Sequence, residues 1–80
     1  MEANKIIITG GATRIGAAIA KKLSGTGVEI VIHFNKSRDK AEKLKSELLN
    51  NQTKVYLVKG DLSKETEVNK IVKFAKSKLK

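Results

Sequence analysis

The chain has 80 residues, 40% of them hydrophobic and 31% charged, with one histidine, no cysteine and a net charge of +9. That length suits one small domain, which buries only about 60% of the surface its unfolded form exposes. Lack of cysteine excludes disulfides, thiolate metal sites and thiol chemistry, and a single histidine with few acids argues against any metal site.

No apolar run approaches the roughly 20 residues of a membrane span. The opening Met1-Glu2-Ala3-Asn4-Lys5 leads into a short apolar run with no cleavage pattern after it, so a cytoplasmic protein is expected. The positive charge raises nucleic acid as a partner. Against that, all but two of the 17 basic residues are lysines, the exceptions being Arg14 and Arg38. Bidentate phosphate and base contacts favour arginine. Phe34, Tyr56 and Phe74 supply no stacking ladder for single strands.

Lys5-Ile6-Ile7-Ile8-Thr9 is a β-branched run closing on Gly10-Gly11, the pattern of a strand buried on both faces. From Ala12 the period becomes helical, with Ile15, Ile19 and Leu23 expected on the inward face and Gly25 as a left-handed cap. Val28-Glu29-Ile30-Val31-Ile32-His33-Phe34 is a second strand. Ser37, Asp39 and Glu42 then mark the start of a second helix with Ala41, Leu44 and Leu48 inward, ending at Asn50-Asn51-Gln52. Lys54-Val55-Tyr56-Leu57-Val58 is the third strand, closed by Lys59-Gly60-Asp61. Ser63 is the expected cap of a third helix carrying Val68, Ile71, Val72, Ala75 and Leu79. Its acids Glu65 and Glu67 lie in the first turn, with Lys73, Lys76, Lys78 and Lys80 towards the negative end of its dipole.

The order βαβαβα, without repeats or linkers, predicts one α/β unit over residues 1–80: a three-stranded parallel sheet in the order 3-2-1. This is part of a Rossmann fold, stopping before the fourth strand that would pair with the first. Residues 6–9 are then an unpaired edge, open to a second copy of the chain or to a missing C-terminal portion.

Between the first strand and helix lies Thr9-Gly10-Gly11-Ala12-Thr13-Arg14-Ile15-Gly16. Glycines there let the backbone turn sharply and bring a pyrophosphate to free helix-terminal amides. Gly11 and Gly16 have P-loop spacing, but Ala17-Ala18 stand where that motif needs Lys and Ser or Thr, so it is not an NTPase loop. The bland alternative is a strand-to-helix turn with no ligand; its place directly after the first strand of a βαβ unit favours a ligand.

The turn resembles that of the short-chain dehydrogenase/reductases, Thr-Gly-x-x-x-Gly-x-Gly. Thr9, Gly10 and Gly16 match, and Arg14 replaces the middle glycine. The variant Thr-Gly-x-x-x-Arg-Ile/Leu-Gly is similar to the pteridine reductase branch. The likeness continues through His33-Phe34-Asn35-Lys36-Ser37 and Gly60-Asp61-Leu62. It implies that Asp61 and Leu62 contact an adenine.

An NAD-binding unit usually carries an acid at the end of its second strand, about 20 residues beyond the glycines. Here residues 33–37 contain none, and the first acid is Asp39. Lys36, Arg14, Asn35 and the Ser37 hydroxyl could instead bind a 2′-phosphate, so NADP(H) is the expected cofactor. The cofactor site is expected to comprise Gly10, Gly11, Arg14, Ile15, Gly16, His33, Asn35, Lys36, Ser37, Asp61 and Leu62. Lys36 could equally be a solvated lysine, Ser37 a helix cap and His33 a structural residue.

The family's catalysis, by the same resemblance, uses a Ser and a Tyr-x-x-x-Lys pair in which the Tyr gives a proton. The only tyrosine, Tyr56, lies in a strand, with Lys59 one position short of that spacing. The chain is therefore expected to be an NADP-binding portion of a short-chain oxidoreductase, without catalytic residues of its own. A non-catalytic nucleotide-binding module and a small basic protein associated with nucleic acid are the alternatives.

Overall fold

The computed structural model describes residues 5–10 and 13–79. Strands β1 (Lys5–Ile8), β2 (Glu29–Phe34) and β3 (Lys54–Lys59) alternate with helices α1 (Arg14–Leu23), α2 (Arg38–Leu49) and α3 (Glu65–Lys78). The strands form one parallel sheet with β2 in the centre, in the expected order. Register sets Ile6 beside Ile30 and Ile8 beside Ile32, and continues through Val55 and Leu57. These residues share one face of the sheet and form the main core with Ala20, Val28, Leu44 and Leu48.

By strand alternation Tyr56 points to the opposite face. There the Lys78 ammonium lies 5.8 Å from its ring centroid, so α3 covers the face that α1 and α2 leave open. Ile71 and Ala75 are the buried residues of α3, whereas Val72 is exposed.

The strand buried on both faces is β2, where every residue after Glu29 is buried. The sequence pattern assigned that role to β1, but only its Ile8 is buried and Ile7 is 51% exposed. The cause is position: β1 is the sheet edge, and α3 packs over β3 and β2.

Helix α1 also departs from expectation. Its buried residues are Gly16 and Ala20, while Ile19 and Leu23 are exposed and Ile15 is 75% exposed. Successive helical residues are turned by about 100°, so a helix that rests on its small side chains carries the adjacent row of large ones away from the sheet. The helix begins at Arg14 behind an N-cap at Thr13; Ala12, from which the helical period is read, lies outside the described residues. At the other end Gly25, directly after the C-cap Ser24, has φ 157°, a positive value that favours glycine but lies outside the left-handed helical region, and Gly27 follows with φ 85°. The Gly25 amide donates to the Thr53 hydroxyl at 2.8 Å, tying the end of α1 to the start of β3.

Helix α2 buries Ala41, Leu44 and Leu48 as its spacing predicts. Helix α3 is entered differently from the prediction, because its N-cap is Lys64 and no side chain caps it. Ser63 turns back to Asp61, whose Oδ1 accepts from the Ser63 amide at 2.9 Å and from its hydroxyl at 2.7 Å. A short polar side chain bonding the backbone two residues on closes a local turn in place of a cap. Lys80 lies outside the described residues.

Two outcomes follow from this packing. A methyl group added at Gly60 would lie 2.7 Å from Cδ1 of buried Ile71, so Gly60→Ala should cost about 1–3 kcal/mol of stability by overpacking, read as a lower urea midpoint. An unchanged midpoint would mean that α3 yields there.

The hydrogen bonds from Ser63, helped by Lys64 and Lys36, hold the Asp61 carboxyl below its ordinary value of 3.8. A depressed folded-state value stabilises the fold above the ordinary carboxylate range, and the contribution is lost as pH falls through the lowered value. Ser63→Ala should therefore move the Asp61 carboxyl titration, followed by carbon NMR, upward towards its ordinary range. An unmoved titration would contradict this cause.

Candidate functional site

Three turns meet at the carboxyl ends of the parallel strands, the place where open α/β sheets bind ligands. The first follows β1. Gly10 has φ 63°, a left-handed conformation that glycine adopts without steric penalty. Thr13 holds this turn to the helix behind it: its hydroxyl donates to the Gly10 carbonyl at 2.7 Å and accepts from the Gly16 amide at 3.1 Å. The first amides of a helix have no intrahelical acceptor, and Thr13 satisfies one of them. A threonine just ahead of a helical run is a recognisable cap, and this one was missed in the sequence pattern.

The second turn follows β2. Phe34 is buried, and the Arg38 guanidinium lies 5.0 Å from its ring centroid, seating the start of α2. Asn35, Lys36 and Ser37 are exposed. Ser37 occupies the N-cap position of α2 without a side-chain capping bond, so capping does not use its hydroxyl. A cleft of about 340 Å³ between the two turns is lined by Gly10, Thr13, His33, Phe34, Asn35, Lys36 and Ser37.

The third turn, at Gly60 and Asp61, faces a second cleft of about 510 Å³ with Asn35, Lys36, Lys59, Glu67 and Lys70. Asn35 and Lys36 thus line both clefts. The hydrogen bonds that lower the Asp61 titration keep its carboxylate charged, and Lys36 is one of the cations that favour this.

The structure brings most of the sequence-selected residues to this end of the sheet. Arg14 is exposed at the first position of α1, next to Thr13. Ile15 and Leu62 are exposed, whereas Gly16 is buried in α1. Gly11 lies outside the described residues. His33 is 3% exposed, with both ring nitrogens in hydrogen bonds to Gly10 and Gly60, so it offers the cleft ring surface and no free polar atom.

Tyr56 and Lys59 stand three apart in one strand and therefore point to opposite faces. Among the described residues no three His, Asp or Glu side chains group as a metal site, and no helix is long and apolar enough to cross a membrane.

A family profile described as short chain dehydrogenase matches residues 4–80. The L-rhamnose-1-dehydrogenase of Scheffersomyces stipitis is 33% identical over an alignment of 76 residues, and the match covers 91% of this chain and 30% of that protein. A short-chain dehydrogenase from Oenococcus oeni superposes with a TM-score of 0.86 at 38% identity, over 98% of this chain and 36% of that one. The FolM alternative dihydrofolate reductase 1 from Brucella canis, solved complexed with NADP, superposes with a TM-score of 0.81 at 31% identity, over 95% of this chain and 30% of that one. The chain thus spans about a third of the length of these relatives. The profile match, the sequence identity and the shared parallel sheet agree: this chain belongs to the short-chain dehydrogenase family.

Proposed function

We propose that the chain holds NADP(H) across the carboxyl ends of its three strands, as the N-terminal nucleotide-binding portion of a short-chain reductase whose catalytic residues lie outside residues 1–80. In this reading the pyrophosphate meets the Gly10 turn, with Gly11, and the first turn of α1 at Arg14, Ile15 and Gly16. The 2′-phosphate is held by Asn35, Lys36, Ser37 and the Arg14 guanidinium, and the adenine lies near Asp61 and Leu62. The observation that carries it is the cleft wall at residues 35–37: exposed, amide, ammonium and hydroxyl in succession, with no carboxylate where an NAD-binding fold usually has one.

The likeness to FolM alternative dihydrofolate reductase 1 complexed with NADP supports this cofactor, and with Arg14 in the turn it supports a pterin-type substrate for the whole protein. Tyr56 faces α3 near Lys78 and lines neither of the two clefts, which supports seeking the family's catalytic residues elsewhere. A cytoplasmic setting belongs to the same proposal. So does addition of further sheet, from the rest of a longer chain or from a second copy, at the β1 edge beside exposed Ile7.

Titration of the chain with NADPH and NADH tests the reading. NADPH should bind more tightly. A hydrogen bond to a charged group contributes about 1.5–3 kcal/mol, so Arg14→Gly should weaken NADPH by roughly tenfold or more and NADH much less. Equal losses would remove the phosphate role of Arg14, and no saturable binding of either nucleotide would remove the proposal.

A further inference from the structure

His33 is the one buried ionisable side chain among the described residues, and although it lines the first cleft it has no polar atom free to contact a nucleotide. Its hydrogen bonds determine where its proton sits. The Gly10 amide can only donate, and it meets Nδ1 at 3.1 Å, so Nδ1 carries a lone pair. Nε2 then holds the proton and donates to the Gly60 carbonyl at 2.7 Å.

The first of these bonds stands where the backbone ladder has run out. Pairing of β1 with β2 ends at Ile8 and Ile32, so Gly10 lies beyond the last pair and is joined to β2 through a side chain. On the other flank the Gly60 amide donates to the Phe34 carbonyl at 3.1 Å, and Ile71 of α3 occupies the space that a side chain at this position would need. One imidazole therefore connects the turn after β1 to the turn after β3. Through the Thr13 hydroxyl, which bonds the Gly10 carbonyl, the same connection reaches the start of α1.

We infer that His33 is a positioning residue for the nucleotide: as the neutral Nε2–H tautomer, it fixes the Gly10 turn against the turn after β3, so that the phosphate-facing wall of the cleft is set before ligand arrives. This rests on the proposed NADP(H) site. A turn held in advance does not have to be ordered on binding, and that cost otherwise comes out of affinity.

Two substitutions separate the halves of the bridge. Asparagine carries its amide oxygen at the level of Nδ1 and can still accept from Gly10. Glutamine carries its amide nitrogen at the level of Nε2 and can still donate to Gly60. His33→Gln should weaken NADPH binding by about tenfold, the equivalent of one lost buried hydrogen bond, while His33→Asn should stay within about threefold of the parent. Both should lower the urea midpoint by similar amounts, so affinity and stability come apart. If the two variants lose affinity alike, in step with stability, His33 is only structural and the inference fails.

Nitrogen NMR of the unliganded chain gives a readout that needs no nucleotide. It should show a protonated Nε2, an unprotonated Nδ1, and a coupling across the hydrogen bond between Nδ1 and the Gly10 amide nitrogen. A protonated Nδ1 would overturn the inference whatever binds. A parent chain that binds no NADPH while showing that coupling would remove the nucleotide site, and with it the role of His33 towards a ligand, leaving only the bridge.

Discussion

The hydrogen bonds that His33 makes to Gly10 and Gly60 join the three strand ends on which the candidate site is built. A parallel sheet brings successive turns to one end, but here the β1–β2 ladder stops short of the turn after β1, and turns left to themselves are the mobile part of a fold. The central strand extends a side chain both ways, to that turn and to the one after β3. Because the imidazole is buried and both nitrogens are engaged, losing either partner would leave a buried polar group unpaired, which costs about 1–3 kcal/mol. That constraint holds Gly10 in place. Gly10 in turn orders Thr13, and Thr13 orders the start of α1.

Upon this frame the charge is arranged asymmetrically. Lys36 stands between the two clefts, while of the carboxylates lining the second, Asp61 is engaged by Ser63 and Glu67 by Lys70. The lysines dominate the chain as a whole, yet most are scattered over solvated helix surface and confer little specificity. What distinguishes Lys36 is that it lines a cleft with Gly10 and Thr13, at the start of α1, and has no acid on its own segment. The family assignment and the proposed preference for NADP over NAD thus rest on different features: the profile match and the shared parallel sheet for the first, residues 35–37 and Arg14 for the second.

The order of elements, the 3-2-1 sheet and the inward face of α2 were all legible in the sequence, because Ala41, Leu44 and Leu48 repeat at helical spacing among charged neighbours and leave one face to bury. Helix α1 defeats the same rule. Its large residues Ile15, Ile19 and Leu23 make the stronger stripe, but the row of Gly16 and Ala20 is what the sheet accepts, and hydrophobicity does not record that preference for small volume. In β1 a run of isoleucines reads as doubly buried, although edge position decides burial. At the site, the glycine turn and the acid-free segment after β2 could be read from residue types alone. The bridging role of His33 could not, since it depends on Gly10 and Gly60 arriving on either side of one ring. Nor could the turn of Ser63 back to Asp61, because a serine ahead of a helix serves equally well as a cap.

Mapping amide NMR shifts while NADPH is added to the chain would test the central claim most directly. A nucleotide seated across the three strand ends should perturb Gly10, residues 13–16, residues 35–37 and residues 60–62 together and saturably. The opposite pole, at Gly25 and Thr53, should stay unchanged. Shifts confined to the lysines of α3, growing without saturation and disappearing with added salt, would show diffuse attraction to a basic surface and contradict a nucleotide site at this end of the sheet.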